Sequence, residues 1–274
     1  MRFLALKNTS SDWVAEYILN KIKKANPTPE KPFILGLPTG STPVTVYKRL
    51  VQAYKAGEIS FKNVVTFNMD EYIGLPPEHP QSYHYFMYEN FFNHVDVQPQ
   101  NIHIPNGMAA DIEKEVAEYE EKIKSFGGID LFLGSVGSDG HIAFNEAGSS
   151  LSSYTRPKTL TRRTLIDNAR FFDDDPSKVP PTAITVGIQT IMDAKEVIIL
   201  ALGLQKAQAV LHAVEGSINH IWPVSILQMH RHFVMVCDEP AAVELKFKTL
   251  RYFAQIEKTL DPKIKAELIC CPDY

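Results

Sequence analysis

Six short runs along the chain, residues 33–37, 64–67, 129–133, 183–186, 197–202 and 233–236, are almost continuously apolar and rich in β-branched residues. A strand that alternates apolar and polar positions buries one face, whereas unbroken runs of this kind bury both. Between them the period lengthens to that of a helix. Residues 11–24 set Trp13, Val14, Tyr17, Ile18 and Ile22 on one side, and Val44, Tyr47, Val51 and Tyr54 repeat the spacing after the first run. Residues 112–126 form a charged amphipathic helix with Val116, Tyr119 and Ile123 turned inward. Alternating buried strands and helices predict an α/β fold. The expectation is a doubly wound, mostly parallel, Rossmann-like sheet with helices on both faces and ligands at the carboxyl ends of the strands.

No internal repeat, low-complexity tract or Gly/Ser linker divides residues 1–274, so a single domain is expected. Residues 147–182 are rich in Ser, Thr, Arg, Asp and Pro and exceed the length of an ordinary connection, which marks a functional lid or an ordered excursion. A hydrophobic content of 45% is ample for a sizeable core. No stretch approaches the roughly 18 apolar residues of a membrane span, and the opening apolar run is too short for a signal peptide. A cytoplasmic protein without a membrane partner is expected. The formal charge of −4, with signs interspersed, leaves no continuous basic face, so nucleic acid is not an expected partner. Cys237, Cys270 and Cys271 are odd in number and lack metal-ligand spacing, which suggests reduced thiols of minor structural weight.

Several strand ends carry chemistry. After the first run comes GLPTGSTP, residues 36–43: Gly40 permits an unusual turn, Ser41 or Thr42 can cap the next helix, and Pro43 suits its first turn. Free amides and hydroxyls at a helix start make a site for a phosphomonoester; an ordinary capped turn is the plainer reading. No Lys follows the glycine, so this is not a Walker loop. After the second run stand Asp70 and Glu71. Adjacent strand residues point opposite ways, so at most one faces a cleft, and Asp70 is the closer continuation of the strand; a loop-stabilising acid is the alternative.

After the third run, VGSDGHIAFNE places Asp139, His141 and Glu146 within eight residues. They lack the helical spacing of a zinc motif, and the chain has no GxSxG elbow, so neither a metal nor a serine nucleophile is expected. A histidine flanked by carboxylates is suited to moving protons, although a histidine merely held by hydrogen bonds would look the same. Lys206 follows the fifth run in LGLQK, and Arg170 lies in the irregular segment. Ser149 with Arg156, Lys158 and Thr159 reads as a second basic patch or a solvated edge strand, and the residues alone favour the strand.

The segments GLPTGSTP, VVTFNMDEYIGLPPEHPQSY, GSDGHIAFNE, NARFFDDD, LGLQKA and VCDEP, in this order and spacing, resemble the glucosamine-6-phosphate deaminase (isomerase) family over about residues 1–255. The resemblance implies aldose-ketose isomerisation coupled to deamination in N-acetylglucosamine catabolism, without metal or cofactor, formally a hydrolysis of a C–N bond. It assigns Asp70 as the base moving a proton between C2 and C1. It assigns His141 to ring opening, with Asp139 and Glu146 tuning its charge and orientation. Gly40, Ser41, Thr42, Arg170 and Lys206 would hold the phosphate, and a lid over roughly residues 156–185 would carry Phe172.

The same resemblance turns the second patch into an allosteric site. Met1, Ser149, Arg156, Lys158, Thr159 and Tyr252 would bind N-acetylglucosamine 6-phosphate between subunits of a homohexamer. Ser135, Ala147 and Ile221-Trp222-Pro223 depart from the family pattern; Ala147 in particular could loosen the loop holding Glu146. The tail, roughly residues 256–274, has no useful counterpart beyond residue 268. Two competitors are a 6-phosphogluconolactonase-like hydrolase and a non-catalytic sugar-phosphate sensor. The residues after His141, the Asp70-Glu71 pair and the absence of a helix-turn-helix extension count against them.

Overall fold

The structure is a computed structural model that describes residues 1–269; Cys270 and Cys271 lie outside the described residues. Five of the six predicted runs become strands β2 (Phe33–Leu37), β3 (Val64–Asn68), β6 (Leu131–Ser135), β9 (Val197–Ala201) and β10 (Phe233–Asp238). With β1 (Arg2–Leu6) and the two-residue β5 (Ile102–His103) they form a seven-stranded sheet, order β1-β10-β9-β6-β2-β3-β5, in which every neighbouring pair is parallel. The predicted helices appear as α1 (Ser10–Ala25), α2 (Val44–Lys55) and α4 (Ile112–Ser125).

The period-two alternation of the strands divides the core. In β9, Val197, Ile199 and Ala201 join the side covered by Tyr119 and Ile123 of α4 and by Val210 of α7 (Ala207–Val214). Ile198 and Leu200 join the side covered by Val14, Ile18, Val46 and Leu50 of α1 and α2. Each such Val, Ile or Leu side chain, fully buried, contributes about 2 kcal/mol. The unbroken apolar runs follow from this sandwich, since neither face of a central strand meets water.

The sixth run behaves differently. Of residues 183–186, expected in the parallel sheet, the first three fall in β8 (Thr182–Thr185), which pairs antiparallel with β4 (Asp70–Tyr72) and β7 (Arg156–Thr159) in a second sheet, order β4-β8-β7. Burial explains the difference: β8 is the central strand of this small sheet, and Ala183 and Ile184 are inaccessible. An apolar run reports that a strand is covered and does not name its partner. β7 is a half-exposed edge, as its residues alone suggested.

The crossing from the large sheet to the small one takes a single residue. Met69 alone lies between β3 and β4; its N–H donates to Leu37 O of the large sheet, and its C=O accepts from Val186 N–H beside β8. Asp70 therefore stands at the junction of the two sheets. At the far edge of the large sheet the C-terminal segment lies along β1, with Lys7 N–H donating to Glu267 O at 3.0 Å and Ile269 N–H to Ala5 O at 2.9 Å.

Candidate active site

The loops that leave β2, β3, β6 and β9, four adjacent strands, meet around a cavity of about 650 Å³. Gly40, Ser41 and Thr42 enter it after β2, Asp70 after β3, Ser135 and His141 from the end of β6 and after it, and Lys206 after β9; Arg170 and Phe172 close it from the excursion. Asp139 and Glu146 stand behind this lining.

Asp70 is 5% exposed, and its Oδ1 is buried with no hydrogen-bond partner. Burial, then the charge of Glu71, pushes this carboxyl well above the usual carboxylate range. Glu71 itself turns aside as strand geometry requires, accepting the N–H groups of Tyr72, Tyr83 and His84 at 2.8, 2.9 and 2.8 Å. The last two are first-turn donors of α3 (Tyr83–Asn90), which have no partner within the helix. One carboxylate of the pair thus orders a helix start and leaves the other facing the cavity.

Gly40 has φ +98°, a conformation open to glycine at little cost. The turn departs from the expected capping: Pro43 holds the cap position of α2 and the helix has no side-chain cap. The hydroxyls of Ser41 and Thr42 have no hydrogen-bond partner among the described residues and remain available to a ligand.

The loop after β6 is a compact turn. Gly137 N–H donates to His141 O at 2.9 Å and Gly140 N–H to Gly137 O at 3.0 Å. The His141 ring lies directly on Gly137, where a Cβ would fall 2.2 Å from the ring. Asp139 Oδ1 is 2.6 Å from His141 Nδ1 and accepts the His141 backbone N–H at 3.3 Å. Burial works against the Asp139 charge, but the imidazole outweighs it and holds the carboxyl down to about 2.

Glu146 departs from expectation. Its Oε1 accepts from Thr161 N–H at 3.1 Å, Thr161 Oγ1 at 2.8 Å and Thr164 Oγ1, all at the start of α5 (Arg162–Ala169), so in this structure it anchors α5 and is bonded to those groups in place of His141. The reversal comes from a tight turn in which Ala143 has φ +52° and Asn145 and Glu146 donate back to Ile142 and Phe144. Ala147, which comes next, is exposed.

Arg170, just past α5, stacks over Phe171 at 4.7 Å. Burial lowers the Lys206 pKa; Asp139 opposes this and Arg170 adds to it. Neither cation is in an ion pair among the described residues, so the two share a wall that favours an anion. Phe172 is buried, with its ring edge-on to Tyr72 at 5.8 Å.

Sequence reasoning missed the α5 wall. Arg163, Thr164, Asp167 and Asn168 line the cavity on one helical face, and Asn168 donates to Tyr72 Oη at 2.8 Å. Burial pushes the Tyr72 phenol up to about 12. The available signal was Thr161 three residues before Thr164, a helix-start pattern, since Thr161 caps α5 through Thr164 N–H.

The second patch divides between two places. Ser149 is buried with an unpartnered hydroxyl, Arg156 donates to Asn145 Oδ1 at 2.9 Å, and Lys158 and Thr159 continue β7. Met1 precedes β1, and Tyr252 is 60% exposed on α8 (Phe247–Leu260), which packs on β1. Among the described residues, no group of three or more His, Cys, Asp or Glu stands where it could hold a metal ion, and no helix is long and apolar enough to cross a membrane.

Residues 7–236 match the family model of glucosamine-6-phosphate isomerases/6-phosphogluconolactonase. The chain is 61% identical to a glucosamine-6-phosphate deaminase of Glaesserella parasuis over 91% of its own length and 95% of the relative's. It is 58% identical to that of Pasteurella multocida over 97% and 100%. A solved monomeric glucosamine-6-phosphate deaminase superposes with TM-score 0.85 at 38% identity, covering 89% of this chain and all of that one. A 6-phosphogluconolactonase of Thermotoga maritima shares the fold alone, with TM-score 0.69 at 21% identity over 87% and 99%. The order of the motifs, the fold and these identities agree: the chain belongs to the glucosamine-6-phosphate deaminase family.

Proposed function

We propose that the protein converts D-glucosamine 6-phosphate and water into D-fructose 6-phosphate and ammonia. The observation that carries this reading is a buried, unpartnered Asp70 carboxylate sharing one cavity with His141 and with two cations, Arg170 and Lys206, that are in no ion pair among the described residues. The phosphate binds at the Gly40 turn, Arg170 and Lys206, which makes the later steps effectively unimolecular. His141, steadied by Asp139, gives a proton to the ring oxygen and opens the sugar to its aldehyde. The C2 hydrogen then becomes acidic. Asp70 removes it to give an enolamine, the nitrogen analogue of an enediol, and returns a proton at C1; water then adds to the resulting C2 iminium, and the C–N bond breaks to release ammonia and leave the C2 ketone. The net change is hydrolytic loss of a C–N bond on an isomerisation pathway, requiring no cofactor or metal.

Glu146 acts in this scheme by holding α5, and the excursion carrying Phe172 is the lid. Residues 1–274 act as one catalytic domain, and the cytoplasm is the compartment that fits a sugar-phosphate enzyme with a buried free thiol at Cys237. A homohexamer activated by N-acetylglucosamine 6-phosphate fits two features: the unpartnered buried Ser149 hydroxyl, and the exposed stripe Tyr252, Ile256 and Leu260 at four-residue spacing on α8.

An ammonia-release assay on glucosamine 6-phosphate, with and without N-acetylglucosamine 6-phosphate, tests both sites. Sigmoidal kinetics made hyperbolic by the effector support the whole reading. Indifference to the effector removes the allosteric part alone, and lactone hydrolysis without ammonia sinks the catalytic part.

A further inference from the structure

What holds His141 in place lies outside the cavity. The loop of residues 137–148 is gripped from behind by residues 219–224. Val224 N–H donates to Gly140 O at 2.9 Å, and Gly148 N–H donates to His220 O at 2.9 Å, so the loop is tied on both sides of His141. Between these ties the Trp222 indole rests on Gly140, where a Cβ would fall 2.6 Å from Cε3. Gly140 has φ +80° and immediately precedes His141, whose ring lies on Gly137. Loop, ring and indole are therefore packed in sequence with no room for another carbon.

Trp222 is itself held. His212 of α7 stacks on it with ring centroids 3.9 Å apart and planes 15° apart. Asn219 Oδ1 accepts the backbone N–H groups of Ile221 and Trp222 at 2.9 and 3.3 Å. Helix α7 begins directly after Lys206. The stack joins the helix that follows Lys206 to the loop that carries His141.

We propose that Trp222, held by His212, is a positioning residue for His141: it fixes where the imidazole sits relative to Lys206 without touching substrate. The kinetic part of this claim rests on the deaminase reading above; the placement of the ring does not. A misplacement on the order of 1 Å in an acid costs about 10²-fold in rate, whereas the phosphate ligands remain untouched. Trp222→Ala should accordingly lower kcat on the order of 10²-fold and leave KM within about threefold of wild type. Trp222→Phe, which restores an aromatic plate on Gly140, should recover most of the loss, and His212→Leu should fall between. Ile18→Ala, in the core far from the loop, supplies the comparison for mere destabilisation; it should lower the Tm and leave kcat unchanged.

The experiment combines steady-state ammonia release, per folded protein, with imidazole NMR spectra in which His141 is identified by its absence in His141→Asn. The expected result is a kcat loss at nearly constant KM together with displaced His141 resonances in Trp222→Ala. Unmoved His141 resonances overturn the proposal whatever the substrate, as does a wild-type kcat in Trp222→Ala. If the wild-type protein releases no ammonia, the deaminase reading fails, and the resonances still decide the positioning claim.

Discussion

Removing the Glu146 carboxylate should open the lid without dismantling the fold. Its Oε1 accepts from the Thr161 N–H and from both threonine hydroxyls at the start of α5. Hydrogen bonds to a charged acceptor contribute about 1.5–3 kcal/mol each, and orphaning buried donors adds to the loss. With water re-entering to satisfy some donors in Glu146→Ala, a net loss of about 3 kcal/mol is a conservative figure. Helix α5 has eight residues and cannot persist without its tertiary anchors. At 1.4 kcal/mol per tenfold, 3 kcal/mol raises the open population of α5 about 10²-fold. Hydrogen exchange of the α5 amides should accelerate by that factor in Glu146→Ala, with kcat/KM falling by about 10–10²-fold. Glu146→Gln retains an acceptor at Oε1 and should keep α5 exchange within about tenfold of wild type. If α5 protection is unchanged in Glu146→Ala, the anchoring account is wrong, and a direct action of Glu146 on His141 becomes the better explanation.

The other predictions concern the cavity. Asp70→Asn should cut turnover by 10²-fold or more, roughly the worth of a general base. It should also stabilise the protein. The folded Asp70 pKa is raised, so its contribution to stability is full below the ordinary carboxylate value and is lost as pH rises through the folded value. Urea unfolding should therefore show Asp70→Asn gaining on wild type at pH 8 and converging with it near pH 4, whereas a variant less stable at pH 8 would refute the burial argument. Asp139 has the opposite sign. Its pKa of about 2 gives a contribution present above about 3.8 and lost as pH falls toward 2, worth at most about 2 kcal/mol for a partly exposed group. Asp139→Asn should lose that amount at pH 7 and show a flatter pH profile below 4. Lys206→Met should raise KM on the order of 10–10²-fold with a smaller effect on kcat, and the wild-type KM should climb with salt more steeply than the variant's. Equal salt slopes would remove Lys206 from the phosphate site.

How much of the fold and the site could be read from the chain alone varies with the kind of information a residue carries. Runs such as 33–37 and 197–202 declare burial directly, because a strand covered on both faces has no polar position to spare. The divergence of Asp70 and Glu71 follows from strand geometry and is seen in the three N–H donors that Glu71 collects. Partnership is a different matter. Residues 183–186 look like a parallel strand and pair antiparallel, and Glu146 lies five positions from His141 yet bonds to Thr161 and Thr164. Both placements arise from turns, at Met69 and at Ala143, whose direction depends on what the chain meets later. β1 escaped notice for a related reason, since its five residues include Arg2, which pairs with Glu257 on a helix near the other end of the chain. The α5 wall was hidden because a short helix with few apolar residues has no periodic signature.

The last described residues, lying along β1, bear on how the protein survives its own synthesis. An outermost strand offers a row of unused amide and carbonyl groups, a template for pairing with other chains. Here residues 267–269 take up part of that row, at Lys7 and Ala5. β1 emerges from the ribosome long before residues 267–269 exist, so the nascent chain carries an open edge until those residues are added. Chains that stop before residue 263 should keep the cavity intact and still be prone to aggregate, a failure of solubility that an activity assay on the surviving fraction would never register.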